Sequence, residues 1–304
     1  MINRIGYACI NTSIKRNFKD CRLNSIYTKG IPYLKAIIVN NLELTKETLL
    51  WNINHNIFMY RATSKLVPFA THEEMLRDFN FRWYKDNDIV KLLSEIKAIV
   101  DSNNIRLSMH PDQFTVLNSP NEQVIKNSIR NLQYHKDILT SMGGSDLIIH
   151  TGGVYGDKKE AIKRFINTYN SLDKKISRFL RLENDDISYT VADVLSISKL
   201  CGIPIVLDIH HHNCNNDGEI HIANSILDIK NSWNNTKLIP KCHISTGISS
   251  YTDKRHADLI SYGDYFAFCE ITKDISIDLM VEAKSKEQAV LQLLPLTKCP
   301  YSRV

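Results

Sequence analysis

The chain has 304 residues, 43% of them hydrophobic, and a formal net charge of +5. That length and apolar content suffice to bury a large core in a single domain. No run of about 18 or more apolar residues offers a membrane span, and the start, Met1-Ile2-Asn3-Arg4, lacks the features of a secretory signal, so an intracellular, cytoplasmic protein is expected. The mild positive charge suits a polyanionic partner if the basic residues gather on one face.

Short apolar runs alternate with longer amphipathic stretches, the βα pattern of a parallel sheet covered by helices. Strands are predicted at 4–10, 57–64, 105–110, 146–150, 179–183, 204–210, 241–246 and 277–282. Eight strands in this alternation predict an α/β fold with one closed (β/α)8 barrel, a TIM barrel, as a single domain over 1–304, with its active site at the carboxyl ends of the strands. After the second strand, 67–85 holds the aromatic run Phe79-Asn80-Phe81-Arg82-Trp83-Tyr84 and reads as a long functional βα loop. Ile89, Leu92, Leu93, Ile96, Ile99 and Val100 then recur at helical spacing, giving one apolar stripe to lie on the barrel. Ser119-Pro120-Asn121-Glu122 predicts a helix start with Ser119 as N-cap, and 157–160 and 190–193 repeat the signal more weakly. The seven cysteines, Cys9, Cys21, Cys201, Cys214, Cys242, Cys269 and Cys299, are odd in number and form no C-x-x-C pair. Free thiols are expected rather than a disulfide framework or zinc knuckle.

Almost every strand from 105 onward ends in a residue that can ligate a metal: His110, His150, Glu183, Asp208 with His211, His243 and Glu282, with His256 in a following loop. A single histidine at a strand end is more simply a core residue, and His210-His211-His212 alone reads as a solvated turn. The recurrence in one register is what favours a polynuclear site at the barrel mouth. An unpaired buried carboxylate costs several kcal/mol or shifts its pKa, so Glu183 and Glu282 need a cation, with Arg181, Lys284 or Lys286 as the alternatives to a metal. His, Asp and Glu suit first-row divalent ions. His55, His72, His135 and His221 lack strand-end context and are expected on the surface or behind the site.

These segments resemble the ultraviolet damage endonucleases, a family close in plan to endonuclease IV. The resemblance runs through Arg4-Ile5-Gly6-Tyr7-Ala8, Tyr60-Arg61, His110-Pro111-Asp112-Gln113, His150-Thr151-Gly152-Gly153, Leu182-Glu183-Asn184, Asp208 to His211, Lys241-Cys242-His243-Ile244-Ser245 and Met280-Val281-Glu282-Ala283-Lys284. It implies a barrel with up to three divalent ions, manganese foremost and zinc or magnesium as alternatives. It also implies nicking of UV-damaged double-stranded DNA immediately 5′ of cyclobutane pyrimidine dimers, (6-4) photoproducts and abasic sites, by attack of metal-activated hydroxide that leaves 3′-hydroxyl and 5′-phosphate ends. His110, His150, Glu183, Asp208, His211, His243, His256 and Glu282 would be the ligands, with Glu183 bridging two ions. Glu183, Lys241 and Glu282 would be the catalytic residues, Lys241 matching a lysine carboxylated in the family. Gln113 and Phe114 would wedge into the duplex as the damaged nucleotides flip out, and Tyr7 and Asn11 would line the gap opposite. Phe114 stands where the family pattern has tyrosine, keeping the flat apolar face but losing the phenolic oxygen.

Two other enzymes fit parts of the pattern: an endonuclease restricted to abasic sites, and a metal-dependent sugar isomerase or epimerase on the same barrel. A non-catalytic nucleic-acid-binding protein has no use for so many convergent ligands. No membrane association and no obligate protein partner are expected.

Overall fold

A computed structural model describes residues 1–216, 218 and 222–297. Its eight strands are β1 (Ile2–Ala8), β2 (Met59–Ala62), β3 (Arg106–Met109), β4 (Asp146–His150), β5 (Leu180–Glu183), β6 (Ile205–Asp208), β7 (Lys241–Ile244) and β8 (Ile277–Val281). They close into a barrel in sequence order, each paired in parallel with the next and β8 with β1. Strands buried on both faces need no polar alternation, and β3, β5, β6, β7 and β8 are buried along their whole length.

The helix Asn87–Ser102 forms where the apolar stripe predicts it and buries Ile89, Leu93, Ile96 and Val100. Capping follows the sequence at Asp157, which accepts from Glu160 N, and at Thr190, which makes a reciprocal capping box with Asp193. At the third start signal the cap is Asn121 rather than Ser119. Asn121 accepts from Gln123 N and Val124 N, while Ser119 Oγ accepts from Asn121 N, so the serine shapes the approach to the helix Glu122–Ser141. The sixth strand also stops short of expectation, at Asp208 rather than 210. Asp208 Oδ1 accepts from His211 N and caps a short helix, Ile209–Cys214, in which His210 and His212 are buried, so the triple histidine is not a solvated turn. His135, expected on the surface or behind the site, is 2% exposed. Its Nδ1 donates to Asn131 O, and burial pushes its pKa down to about 4. His221 and Cys299 lie outside the described residues. Between β1 and β2 runs Leu23–Asn54, whose helical path breaks at Gly30 (φ 76°) and resumes around Pro32.

Side chains two apart on a strand share a face, so one barrel interior receives Arg106, Asp146, Arg181, Lys241 and Asp278 near the strand starts and the metal-ligand residues near the strand ends. The lower tier is an ionic layer. Asp146 meets Arg106 Nε at 2.8 Å, Arg181 Nε at 3.0 Å and Lys241 Nζ at 3.1 Å, and Asp278 meets Arg106 Nη1 at 2.7 Å. Trp233 lies against both arginines, 5.2 and 5.1 Å from ring centre to guanidinium carbon, and donates Nε1 to Ile205 O. Among the described residues no helix is long and apolar enough to cross a membrane.

Replacing Asp146 by alanine leaves three buried cations facing the single carboxylate of Asp278. Urea unfolding of Asp146→Ala is expected to show a loss of about 3–5 kcal/mol; a loss below about 1 kcal/mol would contradict this role for the layer.

Candidate metal centre

Two groups of donor atoms converge at the carboxyl rim, each with its atoms within 4.8 Å of one another: His110, His150 and Glu183; and Glu183, Asp208, His243 and Glu282. Glu183 belongs to both. It is 1% exposed, its Oε2 lies 3.2 Å from His110 Nε2 and 3.8 Å from His150 Nε2, and its Oε1 lies 2.7 Å from His243 Nδ1. Burial alone would raise its pKa, but His243, His110 and His150 hold it well below the usual carboxylate range.

Backbone carbonyls fix which ring nitrogen faces the centre. His110 Nδ1 donates to Pro111 O at 2.8 Å, leaving its Nε2 for the site, and His211 Nδ1 donates to Asn184 O at 3.0 Å. His110 Nε2 lies 3.2 Å from Glu183 Oε2, a separation that a shared proton or a cation held between them makes favourable. Asp208 Oδ2 is buried and bonds to nothing among the described residues. An orphaned carboxylate oxygen in a group of converging donors fits metal coordination, because buried polar atoms are otherwise almost always satisfied.

His211 lies 3.7 Å from Asp208 Oδ2 and 3.8 Å from Glu183 Oε1, beside both groups. His256 stands further out. Its Nδ1 is 3.3 Å from Ser245 Oγ and its ring is 5.5 Å from that of His210. Glu282 pairs with none of Arg181, Lys284 or Lys286. Its partner is Arg61 Nη1 at 2.5 Å, and together with His243 this draws its pKa to about 2 against the opposing effect of burial.

Lys241 is not among the converging donors. Two residues before His243, it sends its ammonium to Asp146 in the ionic layer, an ion pair without hydrogen-bond geometry. Burial and the neighbouring Arg106 lower its pKa to about 8. Four cations, Arg4, Arg106, Arg181 and Lys241, face two carboxylates in that layer.

Gln113 and Phe114 are exposed on the loop after β3, Phe114 by 76%. Asp112 Oδ1 accepts from Phe114 N, so the loop holds the ring out by a local turn. The pair expected opposite them, Tyr7 and Asn11, is buried. Tyr7 is fully buried, packs its ring against Tyr60, donates to Asn52 Oδ1 and accepts from Asn11 Nδ2. Tyr7 projects outward from β1 onto the helix Leu23–Asn54, and Asn11 is buried beside it.

Sequence reasoning gave no role to Arg61, Asn184 or Ser245. Asn184 exchanges two hydrogen bonds of 2.9 Å with the Asp208 backbone, and Ser245 Oγ donates to Glu282 O at 2.7 Å. Both fix the strand ends that carry ligands. Only the place of Asn184 and Ser245 beside ligand residues could have singled them out.

A sequence model of the family described as UV-endonuclease UvdE matches residues 3–301. The chain belongs to that family. It is 36% identical over 288 residues to a UV DNA damage endonuclease of Bacillus mycoides, covering 93% of this chain and 86% of that protein. It is 35% identical over 313 residues to the UV-damage endonuclease of Schizosaccharomyces pombe, covering 95% of this chain and 50% of the yeast protein. Among solved structures, SacUVDE superposes with a TM-score of 0.86 at 32% identity over 97% of this chain and 99% of that one. Endonuclease IV from Thermus thermophilus superposes with a TM-score of 0.56 at 14% identity, over 97% of each chain, and shares the fold alone. As a member of the UV-endonuclease family the chain is an endonuclease acting on DNA, and its barrel carries a residue cluster suited to divalent ions.

His211 provides a check on the electrostatics without any bound ion. Burial lowers its pKa, but Asp208, Glu183 and the Asn184 carbonyl more than offset this and raise it from 6.5 to about 9. A raised imidazole pKa stabilises the fold fully below the unfolded value, and that contribution is lost as pH rises through about 9. An NMR titration of metal-free protein should find the His211 midpoint near 9; a midpoint at or below 6.5 would show that its carboxylate neighbours are misplaced.

Proposed function

We propose that the chain nicks duplex DNA immediately 5′ of cyclobutane pyrimidine dimers and (6-4) photoproducts, and also at abasic sites, leaving 3′-hydroxyl and 5′-phosphate ends. One observation carries the reading: two open carboxylate–imidazole donor groups share Glu183 at the rim from which the exposed Gln113–Phe114 loop projects. We take manganese as the resident ion, in up to three positions, with zinc or magnesium compatible with the same donors. Divalent ions bound there supply Lewis acidity for activating water and stabilising charge on the departing 3′ oxygen.

The protein's own part is positioning. Glu183 holds both groups in register, Asp208, His243 and Glu282 form one wall, and His110 and His150 form the other. His211 and His256 complete the ligand set as ions load. Lys241 stays beneath as a depressed-pKa amine. Its carboxylation requires the neutral form, which a pKa of about 8 makes accessible, together with a turn toward the rim.

Gln113 and Phe114 enter the base stack, where the phenyl face of Phe114 replaces lost stacking. Extruding the two damaged nucleotides costs less than opening intact pairs, whose extrusion costs a few kcal/mol, so lesions are chosen by deformability. On this reading the chain acts as one intracellular domain without an obligate protein partner.

The deciding experiment is nicking of a duplex carrying one thymine dimer, with manganese, zinc, magnesium or chelator, and mapping of the cut. The expected result is a single metal-dependent cut immediately 5′ of the dimer; cleavage only of abasic duplexes would reject the photoproduct specificity. Glu183→Ala should reduce incision below about one hundredth of wild type, with affinity for the damaged duplex changed by less than about threefold. Gln113→Ala combined with Phe114→Ala should keep its metal and lose about 1–3 kcal/mol of binding to the damaged duplex. Unchanged lesion preference in that double variant would count against the wedge.

A further inference from the structure

The donor group around Glu282 contains a permanent cation that the nuclease reading leaves unused. Arg61, on β2, pairs along the barrel with Ala8 of β1 and Ser108 of β3, which fixes its backbone on the barrel wall. Its side chain is 12% exposed, and Nη1 donates to Glu282 Oε1. His243 Nδ1 approaches the same oxygen, at 3.2 Å. Arg61 Nε is buried and bonds to nothing among the described residues, so the guanidinium is held by the Glu282 contact rather than by a full set of partners.

This guanidinium therefore lies against a group in which the carboxylates of Glu183, Asp208 and Glu282 converge with His243. Arginine does not lose its proton in proteins, so the charge is present at every working pH. It competes for the lone pairs that an ion would use and repels a dication placed beside it.

We propose that Arg61 is a built-in counter-cation for this donor group: it holds Glu282 in place while the group is empty and yields part of that carboxylate when a divalent ion binds. The inference rests on the metal reading above. Arg61 is a positioning residue that acts through Glu282. It keeps three carboxylates from driving one another apart before loading, and it limits how tightly an ion is held afterwards.

The test is a calorimetric manganese titration of the wild type, Arg61→Gln and Arg61→Lys, with thermal unfolding of each with and without manganese. Arg61→Gln should bind manganese at least about tenfold more tightly than wild type, because the repulsion is gone. Its metal-free form should melt lower than wild type, and the gap between its metal-free and loaded melting temperatures should widen. Arg61→Lys, which keeps the charge, should stay within about threefold of wild-type affinity.

A role in packing alone predicts weaker binding in both variants. Equal or weaker binding by folded Arg61→Gln would overturn the proposal. Should that variant fail to fold, the arginine Nε–H signals of the wild type can be followed by NMR during zinc titration. The Arg61 signal should move with the first equivalents of zinc, and a stationary signal would overturn the proposal. Absence of any metal binding by the wild type would defeat the metal reading and this inference together, whereas wild-type binding with the wrong direction in Arg61→Gln defeats this inference alone.

Discussion

The structure turns on the burial of charge inside a closed parallel barrel. Strand alternation sends every second side chain into one narrow interior, and in this chain many of those side chains are ionisable. The chain handles them in two different ways at the two ends. Near the strand starts, Asp146 and Asp278 are packed against Arg4, Arg106, Arg181 and Lys241, so each carboxylate has cationic partners. Near the strand ends, Glu183, Asp208 and Glu282 meet imidazoles and one arginine, and Asp208 Oδ2 remains without a partner among the described residues. The lower tier pairs its carboxylates with fixed cations, whereas the upper tier gathers three carboxylates with imidazoles in groups that can hold metal ions, and that contrast marks the functional end.

Rigidity at the upper tier comes from backbone groups. Pro111 and Asn184 carbonyls orient two imidazoles, Asn184 ties β5 to β6, and Asp208 is both a donor at the site and the cap of the helix carrying His211. These contacts hold donor atoms in place before any ion arrives, which lowers the cost of assembling the centre. The barrel alone does not name the reaction.

The number and order of the strands, the amphipathic helix 87–102 and the convergence of His110, His150, Glu183, Asp208, His243 and Glu282 were legible from the sequence, because strand-end placement fixes both the face and the rim. The ionic layer was not. Arg106, Asp146 and Asp278 stand at or near strand starts, where charged residues normally read as solvated strand boundaries, and only barrel closure brings them together. Arg61 was hidden because its partner Glu282 lies 221 residues away. The burial of Tyr7 was not legible because a lone strand does not reveal which of its faces looks outward. The cap moved from Ser119 to Asn121 because both residues can accept from a backbone N–H, and the local chain path decides between them.

Anomalous diffraction from crystals of the protein soaked in manganese addresses the central claim most directly. Two strong peaks are expected at the carboxyl rim, one between His110, His150 and Glu183 and the other between Glu183, Asp208, His243 and Glu282, with Glu183 touching both. Manganese found elsewhere on the chain, or an empty rim at saturating manganese, would contradict the account.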